Sequence, residues 1–165
     1  MKEERISLRP IVAADGDFMV KLVNDPEIVR YIPGLITNGD MMQSWTKSLG
    51  ASDHEFIVEL DGISIGECSL TCFEGDAEIG FMILPEYWGH GYGTQVVQQL
   101  LRKAKELGIS EITATTDVRN TATVKLLKRA DFAMEKTGWM LRIPEEGSEE
   151  SDLSGQHIIE FHKGI

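Results

Sequence analysis

Between Ile79 and Leu107 the chain changes character twice. Ile79 to Leu84 is an apolar run. Pro85 to Thr94, P-E-Y-W-G-H-G-Y-G-T, carries glycine at every second position: Gly89, Gly91 and Gly93. From Thr94 to Leu107 there is no glycine or proline, and Val96, Val97, Leu100, Leu101, Ala104 and Leu107 recur at helical spacing. The pattern predicts a strand, a glycine loop and an amphipathic helix. Such a junction suits an anion. Glycine lets backbone N–H groups approach a ligand without side-chain obstruction. A helix start adds N–H groups left over by the helix and a partial positive charge. Spacing removes two phosphate-binding classes. A Walker-type loop needs a lysine after its last glycine, and none occurs between Leu84 and Arg102. A dinucleotide fingerprint starting at Gly89 needs glycine at position 94, where Thr94 stands.

The rest of the chain supplies a sheet for this junction. Ile6, Leu8 and Ile11 alternate with polar residues and predict a first strand. Phe18, Leu22 and Val23 recur at helical spacing, and Asp25-Pro26 reads as a helix start. Met41, Met42, Trp45 and Leu49 suggest a further helix ending near Gly50. Glu55 to Leu60 and Ile63 to Phe73 read as strands joined at Asp61-Gly62, a strong hairpin signal. Glu74-Gly75-Asp76 turns the chain into Ala77 to Leu84. Gly66 and Gly80 weaken their strands unless backbone must approach closely there, and Gly80 suits a ligand. After the long helix, capped by Gly108, come a strand from Glu111 to Val118 and a helix from Asn120 to Ala130. Phe132 to Leu141 and His157 to Lys163 are the last strands, joined by an acidic stretch, Glu145 to Asp152. That stretch resists packing and predicts a mobile border to an acceptor entrance. The expected fold is α+β: one mostly antiparallel sheet of about seven strands flanked by about four helices. There is no repeat or linker, and residues 1–165 suit one domain.

Charge and composition narrow the partners. A net charge of −11 argues against nucleic acid. Between Thr94 and Asp131, however, seven basic residues stand against four acidic ones, which fits a polyanionic cofactor. The acidic remainder favours a cationic acceptor, although most of these charges also fit plain solvated surface. No apolar run approaches the ~20 residues of a membrane span, and M-K-E-E-R has no signal-peptide core. Cys68 and Cys72 have no metal-spaced neighbours, and His54, His157 and His162 show no triad or metal spacing. The expectation is a cytoplasmic protein with no metal and no membrane contact.

P-E-Y-W-G-H-G-Y-G-T resembles the pyrophosphate loop of the GNAT acyl-coenzyme A N-acyltransferases, in the branch that includes the ribosomal-protein alanine acetyltransferases RimJ and RimL. Gly91 and Gly93 stand at the family's glycine positions, and Trp88 replaces the usual Gln or Arg. A second signature maps onto Asn120 to Phe132. The resemblance implies acetyl-coenzyme A as donor and a protein N-terminus or small amine as acceptor, acted on by a monomer or homodimer. It assigns the pantetheine arm to Met82, Ile83 and Leu84. The pyrophosphate falls to Gly89 through Thr94, including His90, Tyr92 and Gly93, next to Trp88. Asn120 would bond the arm as well as cap its helix, and Thr123 would face the sulfur as a catalytic hydroxyl. Tyr31 and Ile32, in a stretch also similar to this branch, would either touch the acceptor or pack a helix pair. Glu78 is the candidate base, since a carboxylate among apolar neighbours can accept an amine proton through water; an edge-strand charge is the plainer role. Two departures matter. Leu127 stands where many relatives carry a tyrosine acid, and Asp131 replaces a glycine. They keep a non-catalytic acyl-coenzyme A-binding module as the alternative.

Overall fold

The computed structural model describes residues 6–32, 54–141 and 155–165. The helix expected near Met41 to Gly50 and the acidic stretch Glu145 to Asp152 lie outside the described residues. Asp25 opens a short helix as its sequence suggests, its carboxylate accepting from the N–H groups of Glu27 and Ile28. The Asp61-Gly62 hairpin forms with φ of 50° and 82°, both left-handed as a two-residue turn requires. At the next turn the Phe73 N–H donates to Asp76 O at 2.8 Å.

The strands are β1 (Ile6–Pro10), β2 (His54–Leu60), β3 (Ile63–Cys72), β4 (Asp76–Ile83), β5 (Glu111–Asp117), β6 (Ala133–Leu141) and β7 (Gly155–Gly164). They form one sheet in the order β1-β2-β3-β4-β5-β7-β6. Every pairing is antiparallel except β4 with β5. The α-helices among the described residues are α1 (Gly16–Val23), α2 (Pro26–Val29), α3 (Tyr92–Glu106) and α4 (Thr121–Arg129). The fold is therefore the mixed α+β sheet that the alternation of patterns implied.

The two faces of the sheet bury different things. On one, Val96, Val97, Leu100 and Ala104 of α3 pack with Val58, Ile65, Leu70, Ile79, Ile112, Leu127 and Phe161. Each buried Val or Leu side chain contributes about 1.5–3 kcal/mol of transfer free energy. Leu107, expected on this face, is instead 48% exposed, because it is the C-cap residue where the chain leaves the helix. On the other face, Met19, Leu22 and Val23 of α1 and Ile28 of α2 pack on Ile57 and Leu84. Along β4, Ala77, Ile79 and Ile83 face α3, so by the period-two rule Glu78, Gly80 and Met82 face the side of α1 and α2.

Gly66 and Gly80 have separate causes. A Cβ at Gly66 would lie 2.3 Å from the Met82 carbonyl oxygen, so β3 and β4 need glycine to come this close. At Gly80 a Cβ would meet only the Ser69 hydroxyl, at 3.1 Å, which can turn away.

Candidate active site

β4 and β5 pair only at Asp76–Glu111, Ala77–Ile112 and Glu78–Thr113. Beyond that, β4 continues beside β3 as far as Ile83, while β5 follows β7 to Asp117. Each strand keeps one partner and loses the other, and a wedge opens between them. Alternation decides which backbone groups face it. Asp76 O and Leu84 N bond toward β3, so the even-numbered residues of β4 point that way, and Phe81 and Ile83 point into the wedge. Met82 and Leu84 therefore direct their backbone groups at β3. Phe81 was missed by sequence reasoning, although counting parity from the Glu74-Gly75-Asp76 turn would have found it.

The loop closes the wide end of the wedge. After a 3-10 turn over Pro85–Tyr87, the Trp88 indole Nε1–H donates to Ile83 O at 2.7 Å, which latches the loop to the end of β4. Gly89 and Gly91 have φ of 80° and 81°, and a Cβ on either would meet nothing within 4 Å. Both need the left-handed region, and both leave open space beside the backbone. Gly93 has the other role of glycine: its Cβ would sit 2.9 Å from Leu126 Cδ1, so it lets α3 approach α4. Gly91 caps α3 without a side chain, and the Gln95 N–H is the one that returns to Gly91 O, at 3.2 Å. The amides of Gly93 and Thr94 thus lie in the first turn, where a helix has no carbonyl for them.

The β5–α4 turn forms the opposite wall. Asp117 is buried, and its carboxylate accepts from the Arg119 backbone N–H at 2.7 Å and from the guanidinium at 2.7 and 3.0 Å. The Asn120 N–H donates to Asp117 O, and Asn120 Oδ1 accepts from the Thr123 N–H at 3.3 Å. Asn120 thus caps α4 with its oxygen, leaving its amide nitrogen on the other side of the group.

These elements enclose a cavity of about 660 Å³. From β4 and the loop, Met82, Ile83, Trp88, Gly89 and Gly91 line it, followed by Tyr92, Gly93 and Thr94 of α3. Asn120 and Thr123 line it from α4, and Tyr31 and Ile32 from the end of α2. Ile32 also packs against the α1–α2 core, the helix-pair packing expected of it. Three candidates lie off the lining. Leu84 is buried under α1. His90 turns back on the loop, its Nδ1 2.9 Å from Trp88 O and its ring stacked on Tyr92. Glu78 is half-buried where β4 and β5 still pair. Cavity residues not singled out by sequence include Phe81, Lys125 and Arg129. The two cations stand four apart on α4, one helical turn from Thr121, and that spacing was the available signal.

The environment of other titratable groups limits the chemistry. Cys68 is fully buried, and burial pushes its thiol well above the ordinary range, so it is no nucleophile. Leu127, at the tyrosine position of the resemblance, is buried in the core and brings no hydroxyl to the cavity. Asp131 has φ of 62°, the left-handed geometry that glycine adopts most easily. Glu67 on β3, opposite Met82, is buried, and burial first and Glu55 second raise its pKa well above the ordinary carboxylate value.

Residues 5–133 match the acetyltransferase (GNAT) domain family. The chain is 29% identical over 145 residues to an uncharacterized N-acetyltransferase, p20, of Bacillus licheniformis, covering 80% of this chain and 81% of p20. Its fold superposes on a GNAT-family acetyltransferase from Bacillus anthracis with a TM-score of 0.78 at 22% identity, covering 99% and 97% of the two chains. It also superposes on RimL, a ribosomal L7/L12 alpha-N-protein acetyltransferase solved with coenzyme A, with a TM-score of 0.80 at 17% identity, covering 98% and 94%. At these identities the two solved structures speak for the fold. The family match spans most of the chain: the protein belongs to the GNAT family and is an acetyltransferase.

Proposed function

We propose that the protein transfers an acetyl group from acetyl-coenzyme A to a primary amine, either a protein N-terminus, in keeping with its resemblance to the RimJ/RimL branch, or a small-molecule amine. The observation that carries this reading is the wedge between β4 and β5, closed by a glycine loop on the start of α3. Backbone groups of Phe81 and Ile83 take the amides of the pantetheine arm as an added strand would. The pyrophosphate meets the amides from Gly89 to Thr94, with Lys125 and Arg129 near it. The Asn120 amide nitrogen bonds the arm, and Thr123 stands nearest the sulfur. That the structural neighbour RimL is solved with coenzyme A supports a coenzyme A thioester as the donor.

The amine nitrogen attacks the thioester carbon, the C–S bond breaks, and a proton passes from the amine to a base while the thiolate gains one. Glu78 takes the amine proton through water, from the face of β4 that also carries Gly80 and Met82. Tyr31 and Ile32 border the acceptor. The test is release of free coenzyme A thiol from acetyl-coenzyme A across a panel of N-terminal peptides and small amines. An amine-dependent rate with a mass gain of one acetyl group is expected. Tight coenzyme A binding without turnover on any amine would overturn the reading in favour of a binding module.

A further inference from the structure

Away from the cavity, β5, β6 and β7 gather a second set of polar side chains. Thr113, His162 and Ala133 occupy one cross-strand row, and Thr115, Glu160 and Lys136 the next. His162 Nδ1 contacts Glu111, and Nε2 contacts both Glu135 and Glu160, the latter at 3.1 Å. The β6–β7 register shifts between Met134 and Lys136, so Glu135 is the extra residue of a bulge. Ala133 pairs with His162 and Lys136 with Glu160 across that bulge, and the inserted Glu135 is aimed at the histidine between them. Bulges are used to re-aim a side chain in this way.

Charge counting sharpens the arrangement. One ring nitrogen carries at most one proton, yet two carboxylates converge on Nε2. Lys136 reaches Glu160, at 3.3 Å, so Glu135 keeps only the histidine among these contacts. A divalent ion between the three would take both carboxylates and the ring nitrogen as ligands at once. One oxygen of Glu135, one of Glu160 and one nitrogen of His162 all lie within 4.8 Å of one another.

We propose that Glu135, Glu160 and His162 form a binding site for a divalent transition-metal ion of the zinc type, with Glu111 orienting the histidine. Imidazole with carboxylates selects zinc-like ions over magnesium and calcium, which favour oxygen alone. Three protein ligands leave a fourth position to water. Hydrogen-bonded Glu111 fixes the ring so that Nε2 faces the ion, the usual carboxylate–histidine–metal relay. None of the four residues lines the acetyl-coenzyme A cavity, so the ion ties β6 to β7 and β5 and takes no part in the transfer. Spacing along the chain offered only Glu160 and His162, two apart on β7, because the third ligand comes from a bulge on another strand, β6.

The experiment is calorimetric titration of chelator-treated protein with zinc chloride, with magnesium chloride as comparison. One bound zinc per chain is expected, with no magnesium response. Glu135→Gln and Glu111→Gln, both on partly exposed side chains, should each weaken binding by roughly 10–100-fold while coenzyme A affinity is unchanged. Zinc should raise the melting temperature of wild type and not that of Glu135→Gln. A crystal measured at the zinc edge should show its anomalous peak beside His162 Nε2. Absence of zinc binding, equal binding in both variants, or a peak elsewhere would overturn the proposal.

Discussion

Replacing Gly66 by alanine tests how tightly the wedge depends on the β3–β4 spacing. The added Cβ would lie 2.3 Å from Met82 O and 3.1 Å from Ile83 Cα, where ordinary contact begins at 3.4 Å. Both atoms are backbone, so no rotamer change relieves the collision, and β4 has to withdraw by roughly 1 Å at the residues that border the cavity. Overpacking of this kind costs about 1–3 kcal/mol, and a backbone collision belongs at the upper end. At about 2–4 °C per kcal/mol for a chain of this size, the Tm should fall by roughly 4–12 °C. A displacement of that size at the donor site should also lower kcat/KM for acetyl-coenzyme A by about ten-fold or more, since a 1 Å misplacement can cost up to ~100-fold. Gly80→Ala is the control, because its Cβ meets only the mobile Ser69 hydroxyl at 3.1 Å. Thermal melts and steady-state kinetics on the pair decide. If Gly66→Ala melts with wild type, or if Gly80→Ala is equally damaged, the close approach does not set the wedge.

Three other substitutions probe separate links. Trp88→Phe keeps the ring and removes the N–H that bonds Ile83 O at 2.7 Å; losing about 1 kcal/mol of loop anchoring should raise the acetyl-coenzyme A KM by roughly five-fold, and an unchanged KM would show that the latch is idle. Asp131→Gly relieves a φ of 62° and should stabilise by about 0.5–1 kcal/mol in urea unfolding, part of the gain being offset by the looser unfolded chain; a loss of stability would refute the strain. Glu67 has its folded pKa raised by burial and by Glu55, so its contribution is fully present below the ordinary carboxylate pKa and is lost as pH rises from there through the raised value. Glu67→Gln should therefore match wild type near pH 4, exceed it near pH 8, and show a flatter profile between, whereas parallel profiles would mean that Glu67 carries no such load.

What the sequence disclosed followed from local rules. The hairpin at Asp61-Gly62, the glycine loop and the apolar stripe of α3 each declare themselves within a few residues, and each forms where it was expected. The loop glycines were read as one device, but only coordinates separate Gly89 and Gly91, which need left-handed φ, from Gly93, which needs room beside Leu126. Non-local facts were out of reach. That β4 stops pairing with β5 after Glu78 depends on which neighbour each strand follows, and nothing in either strand's residues states it. The resemblance assigned the pantetheine arm to Met82, Ile83 and Leu84 as a stretch; parity along that stretch is set by the turn at Asp76, which points the backbone groups of Met82 and Leu84 at β3. Nothing local marked Glu67 as buried; it is covered because β3 lies between β2 and β4, with Ile57 and Met82 opposite it.

The wedge also explains why the site sits where it does. A strand that loses a partner leaves buried N–H and C=O groups that must find others, at roughly 1–3 kcal/mol for each group left unsatisfied. Ile83 O finds the Trp88 indole. Among the described residues no strand lies beside the Phe81 groups and the Ile83 N–H, because β5 leaves β4 after Thr113 and continues with β7 alone. An extended molecule with amides along its length can stand in for the missing strand, and one carrying an anion at its end can reach the first turn of α3 in the same pose. The sheet defect and the helix start therefore select the same kind of ligand, a chain of amides ending in phosphate. The fold thus supplies a position for such a donor, and in the proposed reaction proton transfer is the step left to an individual carboxylate, Glu78.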